Sequence, residues 1–323
     1  MDKQTKIKIG GVMQKIHIIT EDEKNPIILF IHGGPGGINR HDVMHNHRDL
    51  LDRFTLVGWD QRGVGGSYTG VDFESVTKDR IVEDAAELAA WLCRRFDKDK
   101  IFILGLSWGS CVGTLLAARY PELVAAYVGY GQLVNGHMNE VVSYNWTLEQ
   151  AEKLGDEEAL KELRALGEPI NGMYPGGPVG LMKQRGYLKK YGGVSPNSHA
   201  TAYYAGKLET MKASGEYTRA DMKGYLAGTE RSLEKLWPEI GALDFPKTNT
   251  RFEVPFFIFH GKQDLNTPWL LIPDWFEKIE APEKDLIFFE NSGHNPMSDE
   301  PEAFKKALRE KFEPIIAAGG GRI

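Results

Sequence analysis

The chain has 323 residues, 41% hydrophobic and 26% charged, an ordinary globular balance that excludes a disordered, collagenous or coiled-coil polymer and leaves room for one enlarged domain or two. Thirty-nine basic against 45 acidic side chains give a net charge of −6, so no positive field points to nucleic acid or an anionic membrane as a partner. Two cysteines, Cys93 and Cys111, are too few for a disulfide framework or a cysteine-held metal, and neither a signal-peptide run nor an 18-residue apolar stretch occurs, so a cytoplasmic protein is expected.

In chain order, residues 27–31, 54–57 and 101–104 are short apolar runs rich in β-branched and aromatic side chains, the pattern of strands buried on both faces of a parallel sheet. Between them, residues 81–96 and 108–120 carry apolar positions at helical spacing, the second run stopped by Pro121. A strand at 127–130 follows. The same alternation returns late, with strands at 255–259 and 285–289 and helices at 268–279 and 301–312. Strands alternating with helices predict an α/β sheet of βαβ units.

Residues 135–244 read differently, as charged helical stretches such as 148–166 broken by turns around Tyr174-Pro-Gly-Gly-Pro178. This stretch holds eight of the twelve tyrosines and none of the fifteen phenylalanines. Tyrosine suits surfaces that are apolar with a wet edge. The expected organisation is therefore a discontinuous core, 1–134 and 245–323, with a helical cap at 135–244 whose tyrosine-bearing face lines a cleft. A helical excursion that packs on the core without function is the alternative. The tail around Ala317-Ala-Gly-Gly-Gly321 has the composition of a flexible end.

Three loops carry chemistry. Gly105-Leu-Ser107-Trp-Gly109 follows a predicted strand and opens a predicted helix, the context a G-x-S-x-G nucleophile elbow requires. Serine needs a base and an orienting acid, which this architecture supplies in the order Ser, Asp, His. Asp264 stands just past one late strand and His294 just past the next, where α/β sheets collect their site residues. Asp264 would orient the imidazole, and His294 would take the Ser107 proton and return it to the leaving group. His32-Gly-Gly-Pro-Gly-Gly37, directly after the first buried strand, matches the position of a loop donating one oxyanion-hole N–H, from Gly34, with the other from Trp108. His32 itself reads as structural, and His260 as a strand-end histidine bonded to backbone. His41, His45 and His47 form a cluster that could suggest zinc, but no carboxylate or cysteine stands at a convincing ligand spacing, so no metal is expected.

HGGPG at 32–36, Asp60-Gln-Arg-Gly-Val-Gly-Gly-Ser67 and Gly-Leu-Ser-Trp-Gly at 105–109, in this order and spacing, resemble the proline iminopeptidase branch of the α/β-hydrolases. The likeness is specific over residues 25–130, clear again over 254–300 and weak through the insert. It implies an α/β-hydrolase fold with an inserted helical cap, no cofactor, and release of an N-terminal residue, often proline, from a small peptide through an acyl-enzyme. It also implies that Gly34 and Trp108 form the oxyanion hole, that Asp60 and Arg62 pair near the site floor, and that cap glutamates hold the substrate's α-amino group. Glu230, in Ala227-Gly-Thr-Glu230, matches that last role, although Arg231 and a helical charge pattern also fit a solvated helix glutamate. Trp146-Thr-Leu-Glu149 is a partial echo of the family's W-x-x-W-E motif. The same triad would equally serve an esterase, lactonase or amidase on a small-molecule substrate, since the cap sets specificity. A binding protein that retains the fold is a third reading, against which the complete triad weighs. The oligomeric state stays open.

Overall fold

In the computed structural model, which describes residues 1–197, 206–319 and 322–323, one sheet carries eight strands: β1 (Asp2–Ile9), β2 (Val12–Ile19), β3 (Ile27–Ile31), β4 (Thr55–Trp59), β5 (Ile101–Leu106), β6 (Val124–Tyr130), β7 (Phe256–Gly261) and β8 (Lys284–Phe289). Their spatial order is β1-β2-β4-β3-β5-β6-β7-β8. The six strands from β4 to β8 run parallel, at the positions the apolar runs indicate. The antiparallel pair β1–β2 was not expected from the sequence. Its signal is Gly10-Gly11 between two alternating runs, with φ of +53° and +81°, the two left-handed residues that a tight hairpin turn demands.

The helices are α1 (Arg40–Asn46), α2 (Lys78–Phe96), α3 (Trp108–Arg119), α4 (Gly136–Leu154), α5 (Glu157–Leu166), α6 (Pro178–Lys190), α7 (Lys207–Ala213), α8 (Arg219–Gly241), α9 (Phe245–Thr248), α10 (Ile272–Lys278), α11 (Pro296–Asp299) and α12 (Pro301–Ala318). Strand alternation sorts the core into two layers. Ile27, Leu29 and Ile31 of β3 pack with α2, α3 and α10 on one face. Ile28 and Phe30 pack with α1 and α12 on the other.

Helices α4 to α8 lie between β6 and β7. The helical stretch expected at 148–166 is two helices, because Gly155 adopts φ +65° to end α4 and the Asp156 side chain caps α5 through the Ala159 N–H. The insert leaves and returns side by side: Gly136 N–H donates to Leu243 O at 2.9 Å and Phe245 N–H to Val134 O at 3.1 Å.

A tyrosine face on the cavity is not seen: among the described residues no tyrosine lines the cavity that holds Ser107. Tyr144 and Tyr174 instead build the insert's own small core, their hydroxyls donating to Leu163 O and Glu140 O. Tyr203 and Tyr204 lie outside the described residues, as do Gly320 and Gly321 of the tail.

Buried charge docks the insert on the core. Arg40 of α1 bridges Asp60 and Glu216, and Lys15 of β2 pairs with Asp221 of α8 at 2.5 Å. His17 stands between Glu216 at 2.8 Å and Asp2 at 2.7 Å.

Candidate active site

Ser107 sits between β5 and α3 with φ +56° and ψ −120°, a left-handed conformation that a non-glycine residue keeps only where its surroundings impose it. Its N–H donates to Tyr130 O at 3.0 Å, and its carbonyl accepts from Ser110 Oγ at 2.6 Å. The turn is tight because β3 passes close behind it. A methyl group on Gly109 would lie 2.0 Å from Ile31 O, which no side chain could tolerate. Ser107, half-buried, faces a cavity of about 450 Å³ between the sheet and the insert.

His294 lines the same cavity, and its Nδ1 lies 2.9 Å from Asp264 Oδ2. Asp264 is fully buried yet saturated with donors: the N–H groups of Asn266 and Thr267 at 2.8 and 2.9 Å and the Thr267 hydroxyl at 2.7 Å. His260 stands 3.2 Å away, its Nδ1 accepting from Gln132 N–H and its Nε2 facing Thr267 O, so its role is that of a buried bracket for the acid loop. Burial by itself would raise the Asp264 pKa, but the charge of His294 and the hydrogen bonds from His260 and His294 outweigh it and hold the carboxyl well below the usual range. An imidazole whose Nδ1–H is given to a fixed carboxylate presents Nε2 as a proton acceptor.

The glycine loop after β3 lies against the serine. A methyl on Gly33 would stand 3.0 Å from Ser107 Cβ, and Gly34 takes φ +120°. The Gly34 N–H has no hydrogen-bond partner among the described residues. That of Trp108 is in the first turn of α3, where amides have no intrahelical acceptor. Both amides belong to residues lining the cavity.

The Asp60-Gln61-Arg62 run braces this loop, but not as expected. Asp60 and Arg62 do not pair with each other. Asp60 binds Arg40 at 2.7 Å and the Gly66 N–H at 2.8 Å, whereas Arg62 forks onto Asp84 of α2 at 2.8 and 2.9 Å. Both residues lie just past the end of β4, and each takes the partner that packing brings to it. Gln61, which sequence reasoning did not single out, joins the loop to the elbow. Its amide donates to His32 O at 2.9 Å, and its carbonyl accepts from Trp108 Nε1 at 2.9 Å. His32 is structural: burial depresses its pKa to about 4, and the neutral ring spans Gly33 O and Gln61 N–H.

The glutamates matched to substrate binding lie elsewhere. Glu149 is an exposed partner of Lys153, and Glu230 lines a separate surface groove with Pro178, Val179 and Leu226; neither lines the Ser107 cavity. The carboxylates that do are Asp42, in the first turn of α1, and Asp299, the last residue of α11. Asp299 accepts from Gly293 N–H at 2.9 Å and Ser195 Oγ at 3.0 Å, and burial raises its pKa. Lys207 also lines the cavity, with its pKa lowered to about 8 by burial and its ammonium donating to Gly37 O at 3.2 Å. His41 donates or accepts at Tyr217 Oη, and His45 faces Glu216. No group of three metal-binding side chains occurs among the described residues.

Residues 26–301 match the family model described as the α/β hydrolase fold. Over 303 residues the chain is 30% identical to a probable aminopeptidase, YbaC, of Bacillus subtilis (strain 168), covering 94% of this chain and 93% of that protein. Among solved structures it is similar to a proline iminopeptidase of Mycobacterium smegmatis, with a TM-score of 0.66 at 16% identity over 98% and 99% of the two chains. It is also similar to a thermophilic esterase from Thermogutta terrifontis, with a TM-score of 0.59 at 18% identity over 97% and 99%. Among the described residues no helix is long and apolar enough to cross a membrane.

Proposed function

We propose a serine aminopeptidase reaction for this chain, which belongs to the α/β hydrolase fold family and is a hydrolase. The observation that carries the reading is the placement of Ser107, His294 and the Gly34 and Trp108 amides on one cavity, with Asp264 locked behind the imidazole. In this reading His294 Nε2 takes the Oγ proton as Ser107 attacks the substrate carbonyl, and the charge that develops on oxygen meets the two amides. Collapse passes the proton from Nε2 to the leaving nitrogen and leaves an acyl-enzyme. A water, deprotonated by the same nitrogen, then releases the acid.

Free-amine specificity is supported by the likeness to the probable aminopeptidase along nearly the whole chain. A substrate ammonium in a closed cavity requires a carboxylate. We assign that role to Asp42 and Asp299, which line the cavity, rather than to Glu149 or Glu230, which lie outside it. Helices α4 to α8 then serve as the cap that closes the substrate in. The test is a panel of proline and alanine naphthylamides, their N-acetylated forms and p-nitrophenyl esters. Free-amine amides should be the best substrates. If blocked amides or simple esters are cleaved better, the esterase reading, to which the Thermogutta fold likeness lends support, replaces this one.

A further inference from the structure

We infer that Asn266 is the residue that recognises the leaving-group side of the substrate, its carboxamide pairing with the N–H and C=O of the peptide unit beyond the bond that is cut; this rests on the peptidase reading above. Asn266 is 5% exposed, lines the Ser107 cavity and has its backbone held from two directions. Its N–H donates to Asp264 Oδ1 at 2.8 Å, and its carbonyl accepts from Asn139 Nδ2 of α4 at 3.0 Å. Its side chain is placed beside the atom that matters most. Asn266 Nδ2 lies 3.0 Å from His294 Nε2.

The chemistry decides which end of the carboxamide faces the ring. Since His294 Nδ1–H is given to Asp264, Nε2 carries a lone pair and its neighbour must be the NH₂ end. Asn266 Oδ1 is then an acceptor that is buried and without a partner among the described residues. An unpaired buried carbonyl is unfavourable unless a ligand completes it. The site thus has a free acceptor, and its proton-accepting nitrogen is covered by a donor.

Nε2 hands its proton to the leaving group, so a side chain within hydrogen-bond reach of Nε2 borders that group. A peptide leaving group brings an N–H for Oδ1 and a carbonyl for Nδ2, which draws the NH₂ off Nε2 and opens the lone pair to Ser107. A simple alcohol leaving group brings neither. Asn266 therefore selects peptides over esters of the same acyl residue.

The experiment compares alanyl-glycinamide with alanine methyl ester, so that acyl-group binding cancels, with enzyme concentration set by fluorophosphonate titration of active sites. In Asn266→Ala the peptide-to-ester ratio of kcat/KM should fall roughly 10- to 100-fold, the worth of one or two hydrogen bonds. Asn266→Asp preserves shape but removes the donor. It should lower the same ratio and move the acidic limb of the ester pH profile upward, because a carboxylate beside Nε2 favours the imidazolium. A ratio within about twofold of wild type in both variants, in an enzyme that does cleave the peptide, overturns the role of Asn266 alone, since such a change is below one hydrogen bond. A wild-type enzyme that cleaves only the ester overturns the peptidase reading and this inference with it.

Discussion

The sheet core and the helical insert hold their polar side chains by different means. In the core, the acid at the end of β7 is fixed by groups two and three residues along the chain, the N–H of Asn266 and the N–H and hydroxyl of Thr267. In the insert, the charges that matter reach across the molecule. Arg40 meets Glu216 and Lys15 meets Asp221, in each case a core residue and an insert residue far apart in sequence. Local hydrogen bonds set the shape of the loop that carries Asp264. Long-range buried ion pairs add little net stability but penalise any docking that leaves a charge alone, so they select one placement of the insert over the cavity.

This contrast yields an ordered series of tests. The largest effect belongs to the core: Ser107→Ala should lower kcat/KM on the order of 10⁴- to 10⁶-fold and abolish fluorophosphonate labelling, with little change in the urea midpoint. Labelling that persists at another residue would break the assignment.

Next comes the docking charge. Glu216→Gln leaves Arg40 and His17 short of a buried counter-charge and should cost about 3 kcal/mol of unfolding free energy in urea titrations. Burial by itself would raise the Glu216 pKa, but His17 and Arg40 outweigh it and lower it. Its stabilisation is therefore complete above the unfolded value of about 4.3 and is lost as pH falls towards the folded one. The variant should show a flatter acid limb than wild type, and equal slopes would remove Glu216 from the acid response.

A smaller effect of the same sense, at the alkaline end, should come from Lys207. Burial holds its pKa near 8, below the unfolded value of about 10.4, so between these values the unfolded chain binds more protons and stability rises with pH. Lys207→Met should lack that part of the rise, read as the difference between the two urea midpoints at pH 7.5 and pH 10. The smallest change is expected at Glu149 and Glu230. Glu149→Gln and Glu230→Gln should alter KM for a free-amine substrate by less than about twofold, as exposed charges away from the reacting groups do. A tenfold increase in KM at either position would move the amine site out of the cavity.

The difference between the regions also governs how much could be read before folding. Ser107, Asp264 and His294 were legible because each stands in a loop whose geometry is dictated within a few residues, by glycines at a strand-to-helix turn or by the end of an apolar run. The β1–β2 hairpin was overlooked although Gly10-Gly11 marks its turn, since its outward strand is mostly exposed and lacks a buried run. Gln61 stands inside the 60–67 motif, but nothing there marks the role of its side chain. Its value lies in spanning His32 and Trp108, one nearly thirty residues before it and the other nearly fifty after. The insert's tyrosines were visible as a composition, but composition does not say which surface a ring will cover.

The sequence by itself determined the alternation of strands and helices, the strand-to-helix turn at Ser107, the glycine loop after β3 and the strand ends at which Asp264 and His294 stand. These depend on φ/ψ preferences and side-chain periodicity, which act over a few residues. Only the tertiary structure decided that Asp60 takes Arg40 while Arg62 takes Asp84, that Glu149 and Glu230 lie outside the cavity, and that Asn266 covers Nε2 of His294. A hydrogen bond or ion pair forms between whatever groups come within about 3 Å after packing, and its strength falls away over little more than an ångström. That choice is made by the relative placement of whole elements, which no local pattern encodes.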